Sequence, residues 1–277
     1  MISVARDESV SDFLRHAGEL LHRHEATNGL LLGICLSPTA RTVAPHLFRI
    51  LEHGRTVSAA VQTPSMNLVL TSATRPQLQA LVDDMSGCEL PGVVGPAEES
   101  TMFAGMWSAV TGTRAQLAMD QTIYRLTEVT FPAGADGEFR VAIESDLSAV
   151  VDWMASFERE SLPPSSWKTE TVCAAIAAKM IANRDVYLWT VDGAAVSMAS
   201  VSRRTENGAS INAVYTPLAS RCRGYASVIV ASLSQWVLDS GKKFCVLYAD
   251  SANATANRIY LKIGFSKIAV SRHFLFL

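Results

Sequence analysis

Between Val214 and Ser227 the chain reads VYTPLASRCRGYAS. The stretch opens as a β-branched and aromatic run, breaks at Pro217, and passes two arginines and a glycine into an apolar-periodic segment. From Ala226 onward Ile229, Val230, Leu233, Trp236 and Val237 recur at spacings of three and four, which is one face of a helix. Gly241 is placed to end it. A strand, a turn and a helix N-terminus therefore follow one another directly. A helix N-terminus carries free N–H groups and a positive partial charge, which together make an anion site. Gly224 lets backbone approach a ligand closely, and Ala226 is small enough to do the same. A pyrophosphate suits this arrangement, but so does an ordinary solvated turn, and the stretch alone does not choose between them.

The bulk properties narrow the classes. The 277 residues suffice for one large domain or two ordinary ones. The net charge of −2 offers no basic field for nucleic acid or acidic lipid. Cys35, Cys88, Cys173, Cys222 and Cys245 are odd in number and scattered, without a C-x-x-C pair, so neither a disulfide framework nor a zinc site is expected. His22 and His24 would point to different sides of a helix, and no metal is expected. The N-terminus lacks an apolar core of signal-peptide length, and no apolar run reaches the roughly 18 residues of a membrane helix. A soluble cytoplasmic protein is the expectation, with no nucleic-acid or membrane partner and an unspecified oligomeric state.

Periodicity divides the chain. Residues 11–24 read as an amphipathic helix, 28–36 as a short helix or buried strand, and 55–73 as two strands around Thr63-Pro64-Ser65. Helices are expected at 75–85 and 97–110, a Pro/Gly loop at 88–96, and a long strand or hairpin at 114–131. FPAGADGEF (131–139) combines Pro, Gly and acidic residues and is the best linker, giving domains at 1–132 and 138–277. Beyond it come helices at 145–160 and 169–183, separated by the loop 162–166. Strands follow at 186–191, 194–203 and 208–216, the first two joined by the hairpin signal Asp192-Gly193. A helix, a strand (244–250), a helix (253–265) and a final strand complete the chain. The class is α/β, with a mixed, mostly antiparallel sheet flanked by helices.

FCVLYAD (244–250) and NATANRIYLKIGF (253–265) complete the second half. With the Arg-Gly turn upstream, the region 208–266 resembles the GNAT superfamily of N-acetyltransferases. Arg221, Gly224 and Ala226 fall on that family's (Q/R)-x-x-G-x-(G/A) loop. Asn253, Tyr260, Gly264 and Phe265 match its N-x(6)-Y-like element and G-F ending. The resemblance implies the acyl-CoA N-acyltransferase fold and acetyl-CoA as cosubstrate, without a metal. It places Val214, Tyr215, Thr216, Arg221, Cys222, Arg223, Gly224, Tyr225, Ala226, Ser227, Asn253 and Asn257 at the cofactor. It also implies that residues 1–132 are a degenerate copy without the cofactor loop; the rival is an unrelated α/β cap.

The implied chemistry is direct transfer of an acetyl group to the primary amine of a small molecule. A main-chain N–H near Val214 or Tyr215 would meet the oxyanion, and Tyr260 would return a proton to the departing thiolate. The strand glutamate that many family members carry is replaced here, in GASINAVYT, by Asn212. Glu160, or Glu158 beside it, is then the candidate to bind or deprotonate the amine. Arg203-Arg204 is a solvated strand end, or else steers an anionic substrate or the adenosine 3′-phosphate. A CoA-binding regulatory module without turnover is the second function class, and a domain for another nucleotide the third.

Overall fold

The computed structural model describes residues 1–37, 42–162 and 167–277, so most of the expected loop 162–166 lies outside the described residues. The chain forms two units, Met1–Ile123 with Ile268–Leu277, and Tyr124–Lys267. The 131–139 segment expected as a linker thus lies inside the second unit, and the last ten residues belong to the first.

The two halves repeat one order of elements: strand, two helices, three strands, helix, strand, helix, strand. The first copy is β1 (Ile2–Asp7), α1 (Val10–Arg23), α2 (Gly29–Leu36), β2 (His46–Glu52), β3 (Arg55–Gln62), β4 (Leu68–Leu70), α3 (Arg75–Asp84), β5 (Gly92–Pro96), α4 (Ala97–Thr111) and β6 (Ala115–Leu126). The second is β7 (Glu138–Val141), α5 (Leu147–Ser161), α6 (Glu170–Ala182), β8 (Val186–Val191), β9 (Ala194–Ser202), β10 (Gly208–Tyr215), α7 (Tyr225–Asp239), β11 (Phe244–Asp250), α8 (Ala254–Ile263) and β12 (Ser266–Phe276). In each copy the parallel strand pair, β4 with β5 and β10 with β11, is the one joined through a helix. Hairpin-type neighbours pair antiparallel, as β8 with β9 and β9 with β10 do. The expected mixed, mostly antiparallel sheet with flanking helices is what the structure has.

One open alternative is decided, two strands appear that the sequence pattern did not assign, and one expected loop is corrected. Residues 28–36 resolve as the helix α2, whose Leu31, Leu32 and Cys35 are buried. Ile2–Asp7 and His46–Glu52 are strands that charged positions such as Arg6, Asp7 and Arg49 break up in the sequence pattern; in the structure Arg49 and Asp7 pair across them at 2.6 Å. The Pro/Gly segment 88–96 contains the strand β5, paired antiparallel with β12. Its glycine is there for close approach: a Cβ on Gly92 would sit 2.3 Å from the carbonyl oxygen of Phe274.

In the second unit the sheet buries both faces. Against α7 and α8 pack Tyr187, Ala199, Val201, Ala209, Ile211, Cys245 and Leu247. Against α5 and α6 pack Val186, Leu188, Met198 and Ala213.

Replacing Gly92 by Ala forces backbone to move, because its obstacle is a carbonyl rather than a flexible side-chain tip. Gly92→Ala should cost about 1–3 kcal/mol, read as a lower urea midpoint with an unchanged m-value.

Candidate functional site

β10 carries the site through an irregularity. It is parallel to β11 from Gly208/Phe244 to Ser210/Val246, yet continues to Tyr215 while β11 continues to Asp250. Against β9 its register runs Asn212 opposite Ser200 and then Tyr215 opposite Met198, so two residues face one. This is a β-bulge, and Ala213 within it has φ 46°. Ile211 and Val214 pack toward α7, whereas Ala213 and Tyr215 pack toward α5. The bulge therefore re-aims the end of the strand where β10 and β11 part.

Beyond Pro217 the chain makes a short 3-10 turn, Leu218–Ser220, and then the loop into α7. Cys222 has φ 63° and Gly224 φ 83°, alternating left-handed residues of the kind that turn successive N–H groups to one side. Gly224 is the N-cap of α7 and supplies no side-chain cap. The main-chain N–H groups of Cys222, Arg223, Gly224, Tyr225 and Ala226 have no acceptor among the described residues. With the positive end of a 15-residue helix behind them, they form an anion cradle.

A cleft of about 550 Å³ opens beside the cradle, within the usual range for small-molecule sites. It is lined by the expected Val214, Tyr215, Thr216, Arg221, Cys222, Gly224, Tyr225, Ala226, Ser227, Asn253, Tyr260 and Glu160. Phe157, Ala256 and Ile259 also line it and were not expected; they are small or apolar helix positions with no signature to find them by. Two expected residues stand apart. Arg223 is exposed, and its side chain does not line the cleft. Asn257 serves the chain itself: its amide donates to the carbonyls of Asp250 and Ser251 at 3.1 and 3.2 Å, and its oxygen accepts from the Tyr124 hydroxyl at 3.2 Å. Asn253 does both jobs, lining the cleft while its side-chain oxygen caps α8 by accepting from Ala256 N–H at 3.0 Å.

The carboxylates separate cleanly. Glu158 is buried, ion-paired with Lys168, and accepts from the Lys168 main-chain N–H at 2.9 Å, which removes it as a base. Glu160 reaches the cleft, where its two oxygens accept from Arg221 Nη2 at 2.7 Å and from the Tyr215 hydroxyl at 3.4 Å. Arg221 also donates from Nε to the Thr216 carbonyl at 2.8 Å and lies 5.6 Å from the Tyr215 ring centroid. Both partners of the Glu160–Arg221 pair are over a third exposed, so the contact contributes little stability and is readily exchanged.

Tyr260 is buried beside Tyr124 and Phe265, and its hydroxyl has no hydrogen-bond partner among the described residues. Burial, helped by the neighbouring Tyr124, pushes its pKa up to about 12. No group of three or more His, Cys, Asp or Glu among the described residues could hold a metal, and no helix there is long and apolar enough to cross a membrane.

Residues 187–274 match the family model of FR47-like proteins. A comparison with the curated proteins found no match. Among solved structures, an acetyltransferase of the GNAT family from Colwellia psychrerythraea is similar over 99% of this chain and 100% of its own, at 13% identity and a TM-score of 0.60. A Drosophila protein covers 98% of each chain at 11% identity and a TM-score of 0.69. A tandem GNAT protein from the clavulanic acid biosynthesis pathway covers 99% of this chain and 98% of its own, at 12% identity and a TM-score of 0.56. The fold is that of the GNAT acetyltransferases, and the full-length similarity includes a tandem member.

A phenol held near pKa 12 stays neutral through the working range. The tyrosinate difference spectrum between wild type and Tyr260→Phe should remain flat up to about pH 11 and rise only beyond it. A step near pH 10, the ordinary tyrosine value, would mean that the phenol is solvated.

Proposed function

We propose that the second unit is an acetyl-CoA-dependent N-acetyltransferase that passes the acetyl group directly to the primary amine of a small molecule. The observation that supports this best is the run of five N–H groups, Cys222 to Ala226, that have no acceptor among the described residues, at an uncapped helix start beside the cleft. In this reading they hold the pyrophosphate, with Arg221 and Ser227 beside them. The main chain of Val214, Tyr215 and Thr216 and the side chain of Asn253 take the pantetheine arm. The first unit is the degenerate copy, since it repeats the element order without such a loop.

In the reaction the neutral amine attacks the thioester carbonyl carbon, a C–N bond forms and the C–S bond breaks. The oxyanion is met by main-chain N–H at Val214–Tyr215, where β10 has left β11. The amine loses a proton to Glu160, directly or through water, and Tyr260 gives its proton to the departing sulfur. A phenol near 12 is a weak acid, so in this reading the transfer requires that the departing sulfur be desolvated as the phenol is. A covalent enzyme intermediate has no support, because no histidine lies in Tyr124–Lys267 to activate Cys222.

The second reading, a CoA-binding module without turnover, is favoured by one observation: exposed Asn212 stands where a carboxylate base would be expected. It predicts binding with no thiol release for any amine.

Acetyl-CoA at a hundred times its dissociation constant should stabilise the protein by about 2.7 kcal/mol, and no shift with any acyl-CoA would sink the proposal. Tyr260→Phe should lower kcat by about 10²–10⁴ while the acetyl-CoA shift persists. Gly224→Glu should keep its circular dichroism and lose that shift, because a carboxylate would stand in the anion cradle.

A further inference from the structure

The face of the second sheet turned away from α7 carries a cation that has no ion-pair partner among the described residues. Ser202, opposite Ser210, ends β9, and Arg203 follows with φ 43°. That left-handed value is uncommon for a residue with a side chain. The guanidinium lies 5.0 Å from the ring centroid of Tyr248 on β11. The Arg203 side chain is half-buried, and burial lowers its pKa. Stacking on a ring replaces part of its hydration but leaves the N–H donors along its edge unused. Neither the guanidinium nor the Tyr248 hydroxyl has a hydrogen-bond or ion-pair partner among the described residues. Three other arginines of this unit hold a carboxylate, Arg140 with Asp146, Arg204 with Asp185, and Arg221 with Glu160, whereas Arg125 is likewise stacked on a ring, that of Phe244.

The position relative to the cleft follows from register. Ala209 and Ile211 on β10 and Cys245, Leu247 and Ala249 on β11 pack toward α7, so the alternate residues Asn212 and Tyr248 face the other way. Ser210 is opposite Val246, which sets Tyr248 level with Asn212. Val214 and Tyr215 lie two and three residues beyond that level along β10, about 7–10 Å of strand, whereas the Arg203 main chain starts from the level before Ser210 and its side chain reaches Tyr248. Asn212 itself is exposed on this face.

We propose that Arg203, stacked on Tyr248, anchors an oxyanion carried by the acceptor, so that the amine acetylated bears a terminal carboxylate or phosphate on the order of 10 Å from its nitrogen. A guanidinium held flat on a ring presents its edge donors in the fork that matches either oxyanion. The proposal rests on the acetyl-transfer reading for the role of the amine, but not for the anion site itself.

The test uses three amines of one length: 6-aminohexanoate, 6-aminohexyl phosphate and hexylamine. At least one anionic amine should exceed hexylamine in kcat/KM by about tenfold or more, and the larger ratio tells which oxyanion the site takes. Arg203→Gln should bring that ratio toward one, and Arg203→Lys should keep part of it. A readout without turnover runs in parallel: the preferred anionic amine should raise the melting temperature of wild type and not of Arg203→Gln. Equal use of hexylamine, or a ratio and a thermal shift both unaltered in Arg203→Gln, would overturn the anion site. Thermal shifts by the anionic amine with no acetyl transfer to any amine would instead overturn the transfer reading and leave the anion site standing.

Discussion

A strand can stay bonded to two neighbours only while they keep a common direction and spacing. β10 is held antiparallel to β9 as far as Tyr215, but its parallel ladder with β11 runs only from Gly208 to Ser210. The bulge at Ala213 converts this divergence into geometry, turning Val214 toward α7 and Tyr215 toward α5. Everything at the cleft depends on that parting. It gives main-chain groups without a strand neighbour, a gap below the start of α7, and access for Glu160 from α5. Ser197 fixes the strand end by donating to the Tyr215 carbonyl at 3.1 Å and bonding the Thr216 hydroxyl at 2.8 Å. Without that support a bulged strand end with one partner would fray.

The same element order carries two different helix starts in the two halves. α7 begins after a nine-residue connection, Thr216 to Gly224, with no side-chain cap and five N–H groups open. α3 begins after four residues, Thr71 to Thr74. There Pro76 has no N–H to offer, and Gln77 already accepts from the Thr74 N–H at 2.9 Å. A helix whose first donors are absent or occupied by its own side chains has little left for a phosphate. The contrast is local and chemical, and it supports a division of labour in which the first half keeps the fold and not the anion cradle.

Much of this was legible in the sequence, for a definable reason. Apolar spacing of three and four marked α7, and the Asp192-Gly193 hairpin marked β8 and β9, because local backbone preferences set those features. Twelve residues expected at the site do line one cleft, because the loop and the α8 N-terminus are contiguous stretches of chain. What escaped is what only tertiary contact decides. β5 hid behind its glycines, whose missing side chains make sense only beside Phe274 for Gly92 and Leu70 for Gly95. Asn257, one turn from Asn253, follows the same helical logic on paper yet is spent holding Asp250 and Ser251. Tyr248 carried no signal at all, since its meaning comes from an arginine 45 positions earlier.

The division between Glu158 and Glu160 shows how two adjacent-looking carboxylates acquire opposite fates. They are two residues apart on α5, about 200° around the helix, so one must face inward when the other does not. Glu158 enters the interior and survives there because Lys168 and a main-chain N–H compensate its desolvation. Glu160 emerges at the cleft with partners that are themselves exposed, so its ion pair with Arg221 is weak and exchangeable. A buried, fully satisfied carboxylate contributes to structure and is inert. A half-exposed one whose partner sits beside an anion cradle can give that partner up to a phosphate and turn to an amine. That difference in burial, rather than any difference in residue type, is the physical ground for proposing Glu160 and not Glu158 as the proton acceptor.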